Sequence, residues 1–383
     1  MSPSLRFPEF TGEWEKCKIE DITDAVSSGK SKNHFSNGEY NLYGSTGIIG
    51  RTDKALYDGK LVLVARVGAN AGFLQIINEP CGITDNTLIL KPKGIDAFYL
   101  YYFLQHFNLN RLIFGSGQPL ITGGMLKKVK VSLGTISEQS KIVKFLSLLD
   151  ERIATQVRLI EDLKKLRCAI IENVFCSPNH NESALRFKGN TDPLSTYRME
   201  DFCSRITRKN KDNQCSLVLT IAAQYGLVDQ ESFFNKTVAS ENLAGYYLLH
   251  KGEFAYNRSY SAGYDWGAVK RLEKYPEGVL STLYICFKID ESAVDSDYLA
   301  YYFESTKWHK GLSDIAGEGA RNHGLLNVSV NDYFNTRHRF HCMREQKIIA
   351  SMLNVISQKE NDEIALYDNY QKQKQYLLRK MFI

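Results

Sequence analysis

Two stretches of this 383-residue chain decide its fold: Ser137-Glu138-Gln139-Ser140-Lys141-Ile142-Val143 and Arg344-Glu345-Gln346-Lys347-Ile348-Ile349-Ala350. Their Glu-Gln pairs lie 207 positions apart, and at that offset the residues that follow align without a gap. Apolar residues fall on apolar residues at positions spread over the segment: Leu146 on Leu353, Leu149 on Ile356, Val157 on Ile364, Ile170 on Leu377 and Phe175 on Phe382. The chain therefore contains an internal repeat.

Each of the two segments is predicted to be one long helix. Neither 138–175 nor 345–382 contains Gly or Pro. Their apolar residues recur every three or four positions, as in an amphipathic helix, except over 358–363, where the second segment is much more polar. Ser137 is predicted to cap the first helix, and Ser177-Pro178 to end it. At 1.5 Å per residue, about 38 residues give a rod of roughly 57 Å.

An apolar stripe of this length needs a partner, and the other helix of the chain can supply it. We expect the two helices to pack antiparallel, in the manner of a coiled coil, with the remaining parts of the chain at opposite ends. The residues predicted to form this seam are Ile142, Leu146, Leu149, Val157, Leu163, Ile170, Ile349, Leu353, Ile356, Ile364 and Leu377.

The helices divide the chain into a first module over 1–136, a helix over 137–177, a second module over 178–343 and a helix over 344–383. Both modules consist of short strand-like runs between Gly and Asn residues, which predicts an α+β fold with a mixed sheet. The modules match each other with gaps that grow along the chain, so the second has longer loops. Predicted strands cover 60–66, 87–90, 128–132 and 280–288, and predicted short helices cover 96–105 and 296–306.

The composition favours a soluble, cytoplasmic protein. The formal net charge is +5 and the pI about 8.6, which permits a nucleic-acid partner without requiring one. The first residues do not resemble a signal peptide, and no apolar run approaches the ~18 residues of a membrane span. The eight cysteines never form a C-x-x-C pair, so we expect reduced thiols and no metal site.

Motifs of catalysis are absent from the sequence. There is no N/D-P-P-aromatic segment of amino-methyltransferases and no Rossmann glycine fingerprint. The chain is therefore expected to bind a partner and to have no catalytic site of its own.

Three features carry a resemblance to a known family. They are the opening Leu5-Arg6-Phe7-Pro8 to Gly12-Glu13-Trp14, the glycine-rich Gly115-Ser116-Gly117-Gln118 echoed by Gly317-Glu318-Gly319-Ala320-Arg321, and the Glu-Gln-x-x-Ile start of both long helices. In this order, and duplicated, they resemble the DNA specificity subunit of type I restriction–modification enzymes over essentially the whole chain.

The resemblance implies a fold and a function. It implies two target-recognition domains of mixed α/β structure, joined and separated by an antiparallel coiled coil with pseudo-twofold symmetry. Each domain would read one half of a bipartite, asymmetric site in double-stranded DNA. The helices would set the spacer and dock two modification (methyltransferase) subunits, through which restriction–translocase subunits join. No cofactor is expected on this chain, while S-adenosylmethionine, ATP and Mg are expected on the partner subunits.

Polar and basic residues beside glycines are the candidates for DNA contact in the first module. Bases are read by Arg, Asn and Gln, and phosphates are held by Lys, Arg, hydroxyls and amides. The candidates are Lys30, Lys32 and His34 in one loop, Ser45 and Thr46 in a turn, Arg66 and Asn70 after a buried strand, and Gln118. A solvated loop or a plain turn is the alternative for the first two groups.

The second module offers candidates at similar places. They are the basic pair Arg208 and Lys209, then Gln224 and Tyr225, then Asn257, Arg258, Ser259 and Tyr260, and finally Arg321, Asn322 and His323 after the second glycine-rich segment. For the basic pair, solvent exposure without a partner is the alternative.

Two other classes of function remain open on the sequence alone. One is a self-sufficient DNA methyltransferase or nuclease whose site has no recognisable motif. The other is a coiled-coil scaffold that binds only proteins, which steep salt dependence of duplex binding would exclude.

Overall fold

The structure, a computed structural model, describes residues 2–32, 37–113, 118–190, 192–236, 242–259, 263–315 and 326–383. The chain forms two compact units, Met1–Arg158 with Ile364–Ile383, and Leu159–Glu363. Each unit contains one module and a part of each long helix.

The α-helices of the described residues are α1 (Ala97–Phe107), α2 (Gly123–Lys127), α3 (Ile136–Val174), α4 (Gln230–Phe234), α5 (Ser296–Tyr302), α6 (His309–Ser313), α7 (Val330–Asn335) and α8 (Met343–Met381). The two long helices, α3 and α8, have 39 residues each. The predicted cap at Ser137 is wrong, since that residue lies inside α3. Thr135 occupies the capping position instead, and its Oγ1 accepts a hydrogen bond from the Glu138 N–H at 3.3 Å.

The first module is built from three sheets. Its strands are β1 (Glu15–Lys18), β2 (Thr23–Ser28), β3 (Tyr40–Gly44), β4 (Gly47–Thr52), β5 (Lys60–Ala65), β6 (Leu74–Asn78), β7 (Cys81–Ile83), β8 (Thr87–Pro92) and β9 (Lys130–Leu133). An antiparallel sheet has the order β2-β8-β5-β6, and β1 pairs with β9. A smaller sheet, β4-β3-β7, is mixed because β3 and β7 run parallel.

Strand β5 organises the core of the first unit because both of its faces are buried. Successive side chains of a strand point to opposite sides. Val62 and Val64 therefore pack with α1, while Leu61 and Leu63 pack with residues of the smaller sheet. The same core as α1 includes Ile142, Leu146 and Leu149 at the start of α3 and Leu377, Leu378, Met381 and Phe382 at the end of α8 and just beyond it.

The second module contains more and shorter strands. They are β10 (Ser195–Arg198), β11 (Cys203–Arg205), β12 (Leu219–Ala222), β13 (Gly226–Asp229), β14 (Tyr247–His250), β15 (Phe254–Asn257), β16 (Ala268–Arg271), β17 (Glu277–Leu280), β18 (Ile285–Ile289) and β19 (Arg337–Phe340). The central sheet has the order β11-β18-β15-β16. The single strand predicted over 280–288 is wrong, because a turn with a Tyr284 N–H to Ser281 carbonyl bond separates β17 from β18.

The long helices run antiparallel in both units, as predicted. In the first unit the end of α8 packs against the start of α3. In the second unit Ile349 and Leu353, near the start of α8, share a core with Ile171 and Phe175 at the end of α3. The α+β class, with two modules of helices and strands and two antiparallel long helices, is confirmed. The predicted mixed sheet is present in the first module as β4-β3-β7, whereas the named strands of the second module pair antiparallel.

Candidate nucleic-acid interface

An ion pair between a half-buried arginine and a buried glutamate joins the start of each module to the start of a long helix. Arg6 donates from Nε and Nη2 to the two oxygens of Glu138, at 2.6 and 2.7 Å, and the Glu138 side chain is fully buried. Arg186 contacts Glu345 in the same two-armed way, at 3.3 and 2.5 Å. In both pairs this hydrogen bonding raises the pKa of the arginine above its ordinary value.

These arginines expose a repeat that the sequence reasoning missed. Leu5-Arg6-Phe7 recurs as Leu185-Arg186-Phe187, and at the same offset Trp14 is replaced by Leu194, which is equally buried. The second module therefore does repeat the opening of the first. The three-residue identity was visible, but the absence of a second tryptophan hid it.

A tyrosine ties each module to a long helix by equivalent contacts. The Tyr102 hydroxyl lies 2.9 Å from Asp150 and 3.3 Å from Ser147. The Tyr301 hydroxyl contacts Asn354 and Ser357, which lie at the matching positions of α8. Tyr102 thus corresponds to Tyr301. Both modules contain the letters Tyr-Tyr-Phe, at 101–103 and at 301–303, but these two runs are out of register by one residue.

In the first module, several candidates lie at one end of the central sheet, where β5 ends. The Arg66 N–H donates to the Asn86 carbonyl at 2.9 Å, and the same carbonyl accepts from the Ser45 hydroxyl at 3.3 Å. The Arg66 carbonyl accepts from the Ile121 N–H at 2.8 Å, close in the chain to Gln118. The structure therefore brings the Ser45 turn, the Arg66 strand end and the segment after Gln118 together.

Cations and amides on this end of the sheet face solvent. Lys30, Lys32, Thr46, Asn70 and Gln118 are exposed. Arg66 is half-buried. Within the described part of the chain, its guanidinium donates one long hydrogen bond, to Ser28 Oγ at 3.4 Å, and its Nε is buried without a partner. Exposed donors that make no hydrogen bond within the protein can bind bases or phosphates.

The second module uses the corresponding arginine differently. The Arg258 carbonyl accepts from the Leu326 N–H at 3.0 Å, as that of Arg66 does from Ile121. The Arg258 guanidinium, however, donates to the carbonyls of Val328 and Leu283, both at 3.1 Å. Its neighbour Asn257 accepts from the Ser259 N–H, so this group of side chains holds its own loops.

Two further cations of the second module are also engaged internally. Arg208 pairs with Glu253 at 2.6 Å and donates to the Leu248 carbonyl. Lys209 donates to the Gly245 carbonyl at 2.8 Å and lies over the Tyr247 ring. Arg208 and Lys209 would therefore have to break these contacts within the protein in order to contact DNA.

Gln224 and Tyr225 do not join Arg258. They line a cleft of about 740 Å³ with Lys251, Lys270 and Arg271. This cleft lies beside the first residue of β15, Phe254, which pairs with Arg271. Arg258 follows the opposite end of β15. His34, Tyr260, Arg321, Asn322 and His323 lie outside the described residues.

Comparison with known proteins places the first module in a family. Residues 11–165 match the model of the type I restriction modification DNA specificity domain. The chain contains such a domain. Over these residues the resemblance to the specificity family is thereby confirmed.

Relatives of the specificity domain support the same identification. The chain is 25% identical over 135 residues to the specificity subunit of the type I restriction enzyme EcoprrI from Escherichia coli, covering 35% of this chain and 33% of that one. It is 30% identical over 119 residues to the specificity subunit of the type I restriction enzyme MjaVIII from Methanocaldococcus jannaschii, covering 30% and 28%. These matches span about a third of the relatives' length.

The whole fold has a solved counterpart. The crystal structure of the S subunit of a type I restriction–modification system from M. genitalium matches 100% of this chain and 99% of its own, with a TM-score of 0.61 and 16% sequence identity. At that identity the likeness concerns the fold alone, and it extends over both modules and both long helices.

The two long helices, α3 and α8, bury most of the predicted seam. Six predicted seam residues are buried, namely Ile142, Leu146, Leu149, Ile349, Leu353 and Leu377. Leu163, Ile170, Ile356 and Ile364 are half-buried, and Val157 is 37% exposed. Polar residues replace apolar ones near the middle of the helices, where Glu360 pairs with Arg167 at 3.1 Å.

Two general findings complete the site. Across the described residues, no three His, Cys, Asp or Glu side chains stand close enough together to hold a metal ion. No helix in the same residues has the length and apolar character needed to cross a membrane.

Proposed function

We propose that this chain is the DNA sequence-recognition subunit of a type I restriction–modification complex. One observation carries the proposal: the buried framework around the two long helices is duplicated contact by contact, while the candidate DNA-binding faces differ. The Arg6–Glu138 and Arg186–Glu345 pairs and the matched contacts of Tyr102 and Tyr301 are the duplicated part.

Divergent faces on a repeated frame suit an asymmetric target. Each module would read one half of a bipartite site in double-stranded DNA, and the helices would set the number of base pairs between the halves. In the first module the contacts come from the end of β5, with Arg66, Asn70 and Gln118 facing bases and Lys30 and Lys32 facing phosphates. In the second, His323 and its neighbours stay candidates.

The repeated helices also suit repeated partners. Two equivalent surfaces on one chain bind two copies of one protein, here two modification subunits, through which restriction–translocase subunits would join. S-adenosylmethionine, ATP and Mg would be bound by those subunits. This chain would contribute recognition and no catalytic group.

A selection experiment tests the proposal. The full chain is incubated with a random duplex library, and the bound duplexes are sequenced. We expect two different half-site motifs at one fixed spacing, and affinity that falls by roughly tenfold or more between 50 and 200 mM salt. Bound duplexes without any shared motif would contradict sequence reading and favour a scaffold.

A second assay addresses catalysis. The isolated chain is incubated with the selected duplex and labelled S-adenosylmethionine, with and without modification subunits. Methyl transfer is expected only in their presence. Transfer by the chain alone would identify it as a self-sufficient methyltransferase.

A further inference from the structure

We infer that Arg6 and Glu138, and equally Arg186 and Glu345, are positioning residues for DNA reading. Each pair fixes the angle at which a module is held on the long helices, and the two angles together select one spacer between the half-sites. This inference rests on the proposed function, because it assigns a role within two-part recognition.

The geometry of the first pair restricts rotation. Glu138 lies in the first turn of α3 with a side chain that is 0% exposed. One planar guanidinium contacts both of its oxygens, at 2.6 and 2.7 Å. Two parallel hydrogen bonds fix orientation as well as distance, which a single-point contact from an ammonium group does not.

The same contact recurs where the intervening chain differs. Arg6 and Glu138 are 132 residues apart, whereas Arg186 and Glu345 are 159 apart. The second module has therefore gained 27 residues between the two partners, yet the guanidinium still meets the glutamate in the first turn of a long helix. The arginine–glutamate contact therefore does not depend on the size of the module. This is expected if both modules are held on the long helices in the same way.

Each arginine lies on a segment that joins both long helices. The Leu5 N–H donates to the Lys380 carbonyl near the end of α8, next to the Arg6 contact with the start of α3. The Leu185 N–H donates to the Asn173 carbonyl near the end of α3, next to the Arg186 contact with the start of α8. Within each unit, two consecutive residues therefore connect the module to the two helices at once.

Stability alone is a weak reason for such a pair. Removing two charges from water costs about as much as their attraction returns, and well-packed apolar residues often replace a buried ion pair without loss. A helix start favours any acidic residue in its first turn. Neither effect requires an arginine that donates two hydrogen bonds to the same carboxylate. This two-bond contact, called the fork below, is therefore the property to test.

The test compares fork variants on defined duplexes. The half-sites found by library selection are built into duplexes with the selected spacer and with one base pair more or fewer. The variants are Arg6→Lys, Glu138→Gln, Arg186→Lys and Glu345→Gln in the full chain. Glu9→Gln is the matched control, because it removes an ion pair between Glu9 and Lys141 that is exposed and lies on the same helix.

We expect the wild type and Glu9→Gln to prefer the selected spacer by roughly tenfold, the size of the effect of one wrong base pair. The four fork variants should reduce this preference to below roughly threefold while the base preferences within each half stay unchanged. If the Gln variants do not fold, the Lys variants carry the test, since they keep the charge and lose only the fork.

Three results would overturn the inference: an unchanged spacer preference in the fork variants, a loss of base preference within a half-site, or unfolding of all four variants. The last would make the pairs elements of stability only. A wild type that selects no two-part site would instead overturn the proposed function, so the two failures are distinguishable.

Discussion

Tyr102 donates its hydroxyl to the carboxylate of Asp150 over 2.9 Å, and this bond ties α1 of the first module to the long helix α3. Lys374 pairs with the same carboxylate at 2.6 Å. The hydroxyl is part-buried, and burial raises the pKa of Tyr102, so it stays a neutral donor. The contact recurs as Tyr301 with Asn354 and Ser357 in the second unit.

Removing this hydroxyl should weaken one unit at a time. Tyr102→Phe is expected to lower the free energy of unfolding of the first unit by about 1 kcal/mol, and Tyr301→Phe to do the same in the second, since each loses its hydroxyl contacts with a long helix, of which at least one is part-buried. Thermal denaturation measures the effect, with the exposed Tyr376→Phe as control. A loss no larger than that of the control would show that these bonds do not support the units.

Two adjacent leucines of α3 should differ in how much stability they lose when replaced by alanine. Leu149 is 9% exposed and belongs to the core of the first unit, while Leu148 is 56% exposed. Leu149→Ala is expected to cost about 2–4 kcal/mol of unfolding free energy through lost burial and a cavity, and Leu148→Ala less than about 0.5 kcal/mol. Equal losses in chemical denaturation would contradict the assigned helix face.

The two equivalent arginines should differ in what they support. Arg66→Ala is expected to weaken binding to one half-site with little change in stability, because its guanidinium makes one long internal bond. Arg258→Ala should destabilise the second unit by about 2 kcal/mol, because two carbonyls lose a charged donor. Duplex affinity and melting temperature, measured on both variants, separate the effects. The reverse pattern would show that DNA contact at this position belongs to the second module.

Acid should destabilise the second unit more than the first. Burial lowers the pKa of His338 to about 3 and that of His341 to about 4, the latter against the opposing effect of Glu345. In the unfolded chain both histidines titrate near 6.5, so below that pH the unfolded state binds more protons. Stability is therefore complete above about pH 6.5 and falls toward about pH 4, by roughly 1.4 kcal/mol per pH unit for each histidine.

Fluorescence can follow each unit in this pH experiment. In Trp14→Phe, the remaining Trp266 and Trp308 report the second unit. Their unfolding midpoint in urea is expected to drop clearly between about pH 7.5 and about pH 5.5. In the first unit, where burial lowers the pKa of His106, a variant with both Trp266→Phe and Trp308→Phe, in which Trp14 is the remaining reporter, should show a smaller drop. Equal drops in both units would contradict a special role of His338 and His341.

The repeat was predictable in the long helices, where the match is continuous, and was missed at the start of the modules, where the match is only three residues long. The helices align without a gap over dozens of residues, so their apolar period and offset were visible in the letters. Leu5-Arg6-Phe7 and Leu185-Arg186-Phe187 share three residues across a gap of 180 positions, too few to stand out without the pairing to Glu138 and Glu345. The tyrosines are ambiguous for a similar reason: aligning the Tyr-Tyr-Phe of 101–103 with that of 301–303 places Tyr102 on Tyr302, one residue away from its equivalent Tyr301.

The DNA-binding candidates show the limit of reasoning from residue type. Arg66 and Arg258 follow equivalent strands and have the same chemistry. Only the Arg258 guanidinium donates to backbone carbonyls, because the fold brings Leu283 and Val328 to it from 25 and 70 residues away in the chain. The same holds for Arg208, whose partner Glu253 is 45 residues away.

The sequence by itself determined the duplication, the two long helices, their antiparallel pairing, the α+β class and the family resemblance. These follow from periodicity and order along the chain, which the backbone expresses locally. Only the tertiary structure decided which glutamates Arg6 and Arg186 contact, which tyrosine of each module binds a long helix, and which cations face solvent. A side chain's partner depends on distances between residues far apart in the chain, and packing sets those distances only once the fold is complete.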